Sequence, residues 1–167
     1  MAKMKKSKVI DPKGAFRYAE SFQKAAQHIW DRADANREFD LIPPGGVMHA
    51  FAMELYLKCL ICIETGKNPP YGHKLKDLFG ALSMNSQMRI KKDYAERTKT
   101  DPVFIALGKK FKDAKLDFDS QLASGSNAFD ELRYGFEEPP KVGWMLAHAQ
   151  REIRRIILEK KPEWAKP

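Results

Sequence analysis

A chain of 167 residues with 43% apolar content is long enough to bury one full core and too short for two ordinary domains. Its net charge of +8 sits mainly at the ends: residues 1–8 carry four lysines and no acid, residues 151–167 carry six basic and three acidic groups, and the body between is nearly neutral. No run approaches the ~18 consecutive apolar residues of a membrane span, and no apolar signal core follows the first lysines, so a cytoplasmic protein with no membrane partner is expected.

Asp11-Pro12 opens the first predicted helix, with a capping carboxylate followed by a proline where no N–H is needed. Ala15, Phe16, Ala19, Phe22, Ala26, Ile29, Trp30 and Ala33 recur at steps of three and four and carry it to about Arg37. Residues 40–46, with Pro43, Pro44 and two glycines, read as a connection. Val47 to Ile63 is apolar on nearly every face, the pattern of a central bundle helix or of a dimer contact. Gly66 suits its C-cap, and Asn68-Pro69-Pro70 stops it.

A short helix is expected near His73, with Leu75, Leu78, Phe79 and Leu82 inward, and another over Ser86 to Arg97. Asp101-Pro102 repeats the opening signal, and Phe104, Leu107, Phe111, Ala114 and Phe118 read as one helical stripe. Gly125-Ser126-Asn127 breaks it, with Asn127 placed to cap a short turn through Tyr134. After Pro139-Pro140 a last helix aligns Val142, Met145, Leu146, Ala149, Ile153, Ile156 and Ile157. The expected fold is all-α, an antiparallel (up-and-down) helical bundle of five to six helices over residues 11–160. A basic N-terminal tail over 1–10, expected to be disordered, and a C-terminal tail over 161–167 flank it.

Cys59 and Cys62 lie three apart in the most apolar helix and read as core residues, with no further ligands nearby at metal-binding spacing. No metal and no cofactor is expected. Chemistry is sought where polar groups interrupt the apolar pattern. Glu54 and Lys58 stand four apart, acid before base, inside the central helix, where charges need partners. They are either a register-fixing ion pair or half of a polar site. His73 opens the next helix after Tyr71-Gly72, and Arg133-Tyr134 precedes the proline break, where a guanidinium can reach a neighbouring helix or an anion.

Glu54-Leu-Tyr-Leu-Lys58, Gly72-His73-Lys-Leu-Lys-Asp-Leu-Phe79 and Leu132-Arg133-Tyr134 together resemble the HEPN (higher eukaryotes and prokaryotes nucleotide-binding) family of small helical bundles, over about residues 14 to 158. The resemblance implies a bundle that commonly forms a homodimer, associates with a nucleotidyltransferase or a toxin–antitoxin partner, and in many members cleaves RNA. It also implies that Glu54, Lys58, His73, Arg133 and Tyr134 form one polar cluster. One departure bears on catalysis. The ribonucleases of that family resemble one another in an arginine followed by four to six residues and a histidine, whereas Arg133 has Glu138, Pro139 and Pro140 at those places and His148 lies fifteen residues on.

On the last helix Trp144, His148, Arg151 and Arg155 share one stripe by spacing, an aromatic among cations that can stack a base and hold phosphate or can be a solvated basic face. Three functions follow. The first is a non-catalytic module binding a nucleotide or RNA phosphate or a protein partner. The second is a divergent metal-independent ribonuclease or toxin using His73 or His148 as base. The third is a non-specific nucleic-acid binder acting through its basic termini.

Overall fold

The computed structural model describes residues 10–127, 131, 132, 134 and 146–165. Helix α1 spans Pro12–Asn36, and the Asp11 carboxylate accepts the Lys13 N–H at 3.0 Å. Arg37 ends it in the left-handed region at φ 56°, returning its N–H to the last turn. A 3₁₀ turn, Phe39–Leu41, leads directly into α2, Ile42–Thr65. This helix starts five residues before the sequence pattern places it. Pro43 and Pro44 fall in its first turn, where the missing N–H groups would be unpaired anyway, so they open the helix instead of blocking it. Gly45 lies against the Trp30 indole, which leaves no room for a side chain there.

Gly66 closes α2 at φ 65°. Then come α3 (Leu75–Gly80), α4 (Met84–Thr98), α5 (Pro102–Lys110), α6 (Phe118–Ser124), a 3₁₀ turn (Gly125–Asn127) and α7 (Ala147–Lys160). The stripe read as one helix from Asp101 to Phe118 is two. Residues 111–117 leave the helix, and buried side chains take two of their carbonyls: the Tyr94 hydroxyl donates to Leu116 O at 3.1 Å and Gln121 Nε2 donates to Lys115 O at 2.8 Å. Asp117 then caps α6 through the Ser120 N–H at 2.9 Å. Much of the short turn expected from Asn127 through Tyr134 lies outside the described residues, as do Val142 and Met145.

The fold is all-α, with no strand among the described residues. Pairs such as Phe16 with Tyr56, Phe22 with Phe51 and Trp30 with His49 run in opposite chain directions, so α1 and α2 are antiparallel. Gln23 meets Gln150 and Glu20 meets Arg154, which sets α7 antiparallel to α1, and Arg89 meets Glu152 and Glu159 to place α4 beside α7. Met53, Leu57, Leu60, Leu78, Ile90, Leu146, Ile153, Ile156 and Ile157 fill the centre. Beyond α7 the chain turns back as the 3₁₀ segment Pro162–Trp164, and the Trp164 ring packs on Phe16 at 5.7 Å. The stretch Phe39–Thr65 is the one described segment long and apolar enough to cross a membrane, at mean hydropathy 1.5; 61% of that window is buried inside the fold, as in a core helix.

Candidate functional site

Glu54 sits midway along α2 and is 1% exposed. A carboxylate in such a place loses its hydration, and only close donors offset that loss. Two supply it. Lys58 Nζ, one turn on, donates to Oε1 at 2.7 Å, and His73 Nδ1, nineteen residues on, lies 2.9 Å from Oε1 and 3.1 Å from Oε2. A carboxylate only accepts, so His73 carries its proton on Nδ1. The Lys58 side chain is largely covered, whereas that of His73 is 54% exposed. The site therefore has a buried anionic floor and a cationic or proton-carrying rim.

The connection between α2 and α3 sets His73 in place. Thr65 Oγ accepts the Lys67 N–H at 3.1 Å, and Asn68 Oδ1 accepts the Ile10 N–H at 2.9 Å, tying the loop to the start of α1. Pro69 and Pro70 stiffen it, and Gly72 at φ 133° takes a backbone turn that favours glycine. Lys74 is extended, and the Lys76 N–H reaches Ser126 Oγ at 3.4 Å.

Of the residues expected to cluster, Glu54, Lys58 and His73 meet. Arg133 lies outside the described residues. Tyr134 is 45% exposed and follows Leu132, whose side chain packs at Gly46 near the start of α2. The stripe on the last helix is not one solvent face. Trp144 lies outside the described residues, and His148 turns inward: its Nε2 pairs with Asp101 Oδ2 at 2.7 Å and its ring packs on Phe104 at 5.6 Å. Arg151 is exposed, and Arg155 is held by Glu152 through Nε at 2.6 Å and Nη2 at 2.8 Å. Helical spacing alone misplaces His148 because the short α5 docks over the first turn of α7.

Two networks escaped the sequence reading. Glu152, 1% exposed, receives Arg89 Nε at 2.7 Å as well as Arg155, and Arg89 closes on Glu159 with both terminal nitrogens at 2.6 Å. An acid standing on the apolar stripe beside Ile153 was its signal. The second network joins α1 and α7: Arg154 grips Glu20 through Nε at 2.6 Å and Nη2 at 3.0 Å, and the Tyr56 hydroxyl also donates to Glu20. The Gln23 Oε1 lies 2.9 Å from the same hydroxyl and accepts the Gln150 Nε2 N–H at 3.2 Å. Burial raises the Glu20 carboxyl pKa, but the bonds from Arg154 and Tyr56 outweigh it and hold the group below 4.5. Glu20, Gln23, Lys24, Gln27 and Arg154 line an open cleft of about 240 Å³ above this network.

The described fold and site define a class: an all-α helical bundle whose central helix carries a buried carboxylate that orients a lysine and a loop histidine. No known family model matches the chain, and no characterised protein or solved structure matches it either.

Proposed function

We propose that the chain is a non-catalytic HEPN-like helical module that binds a phosphate group of a nucleotide or RNA through Lys58 and His73. The observation that carries this reading is the single buried carboxylate of Glu54 serving two nitrogen donors at the edge of the fold. Lys58 on the same helix already pairs with the carboxylate, and the second partner comes from a surface loop and not from a packed helix as at Glu152. Bringing in a half-exposed histidine from the next loop sets an imidazole at the surface, whose Nε2 donates to an oxyanion when the ring is doubly protonated. The exposed Lys74 and Lys76 beside it add positive potential.

The test is fluorescence anisotropy with a labelled oligoribonucleotide over a range of salt. Binding should weaken as salt rises, and Lys58→Ala and His73→Ala should each lower affinity several-fold. Absence of binding at low salt, or affinity unmoved by both substitutions, overturns the proposal.

A second reading, a metal-independent ribonuclease, is favoured by one feature: a carboxylate holding Nδ1 is the usual way to orient a histidine whose Nε2 moves a proton. It predicts cleavage of RNA by the purified protein that is lost in His73→Ala. His148 is the weaker base candidate because Asp101 holds its Nε2. Intact RNA after long incubation excludes this reading.

A further inference from the structure

Tyr71 has a relative exposure of 106%, the highest among the described large exposed apolar residues, so its ring is not packed against the described fold. Burying such a ring is favourable, and leaving it standing in water at the end of a stiff loop brings the free chain no packing. The loop is not loose: Asn68 ties it to Ile10, Pro69-Pro70 restrict the backbone, and His73, two residues on, is anchored to Glu54. The ring is thus presented from a fixed base. Two residues span at most about 7 Å of chain, so the backbone positions of Tyr71 and His73 lie within that distance of one another.

Within the loop itself the charge has one sign. Residues 66–76 contain Lys67, Lys74 and Lys76, all exposed, and no acid. An exposed aromatic flanked by cations is the arrangement by which proteins hold unpaired nucleotides, with bases stacked on rings and backbone phosphates on lysines. A base inside a duplex already stacks on its neighbours and cannot offer both faces, so such a platform selects single strands.

We infer that Tyr71 is a stacking platform for an unpaired base of single-stranded RNA, whose adjacent phosphate meets His73 and Lys58. This rests on the phosphate-binding reading above and gives it a substrate class. The ligand is a strand with a free base at this position. The lysines of the loop hold the phosphates on either side, and Tyr71 contributes affinity that does not depend on base identity.

The experiment uses the full chain and a fluorescein-labelled oligouridylate, alone and annealed to its complement, with wild type, Tyr71→Ala and Tyr71→Phe. Stacking of one base predicts that Tyr71→Ala weakens single-strand binding about tenfold while Tyr71→Phe stays close to wild type. The duplex should bind more weakly than the single strand, and Tyr71→Ala should not change it. Because the ring is fully exposed, unchanged thermal melting should accompany both substitutions. If single-strand affinity is the same in Tyr71→Ala while Lys58→Ala and His73→Ala still weaken it, the platform is refuted and the phosphate site stands. A Tyr71 that serves a protein partner gives that same result. If wild type binds neither probe, both readings fall together.

Discussion

Two carboxylates in this bundle are equally buried and are used differently. Glu152 on α7 and Glu54 on α2 are each 1% exposed, and each accepts from two basic side chains. At Glu152 the donors are guanidiniums, and a second acid, Glu159, takes Arg89 again at 2.6 Å and lies 3.6 Å from Arg155. Two acids answer two arginines, with rigid forks crossing from α4 to α7. At Glu54 one acid serves a lysine and a histidine, and the histidine comes from a loop whose neighbours are lysines. The first arrangement balances its charges and joins helices. The second orients a loop residue at the surface, in a loop whose own charges are lysines. Burial alone therefore does not distinguish a staple from a site; the balance of charge around the buried group does.

The largest expected effect tests the staple. Glu152→Ala leaves Arg89 and Arg155 without their buried partner and should lower unfolding free energy by about 3 kcal/mol in urea titration, with oligouridylate affinity unchanged. Loss of binding in a folded Glu152→Ala protein would erase the distinction between the two carboxylates.

Acid should sharpen it next. Hydrogen bonding from Arg89 is the main cause that holds the Glu159 carboxyl below 4.5, against burial, so the staple contributes stability above pH 4.5 that is lost as pH falls through the lower folded value. Thermal melts should show this acid limb, and Glu159→Gln should flatten it. His49 acts in a higher window. Burial lowers its pKa from 6.5 to about 4, so the unfolded chain takes up the proton first and stability falls between pH 6.5 and 4. His49→Gln removes that slope and leaves the carboxylate limb, to which Glu20, Asp101 and Asp117 contribute beside Glu159.

The smallest stability change is expected at the site. Lys58→Ala should cost less stability than Glu152→Ala, because His73 still donates to Glu54, while lowering oligoribonucleotide affinity. A Lys58→Ala protein as unstable as Glu152→Ala would make Glu54 a second staple.

The sequence was most informative where a local rule operates alone. Asp11-Pro12 and Asp101-Pro102 start helices because a carboxylate and a proline satisfy the first turn without help from elsewhere. Gly66 ends α2 because only the left-handed turn fits there. The pairing of Glu54 with Lys58 was legible from spacing, and a contact with His73 followed from the family resemblance, since the intervening loop gives no geometric rule. Spacing failed where a distant side chain decided the outcome. Tyr94 and Gln121 take the carbonyls of Leu116 and Lys115 in the stretch that leaves the helix, and Asp101 draws His148 away from Arg151.

By itself the sequence determined the all-α class, most helix starts and stops, and the misfit of an acid within a greasy helix, because periodicity and capping act over a few residues. Only the tertiary structure decided which cations close on that acid, that Glu152 belongs to a staple, and that Tyr71 stands fully in solvent. Those outcomes depend on side chains up to 70 residues apart competing for the same buried groups, and no local pattern encodes the winner.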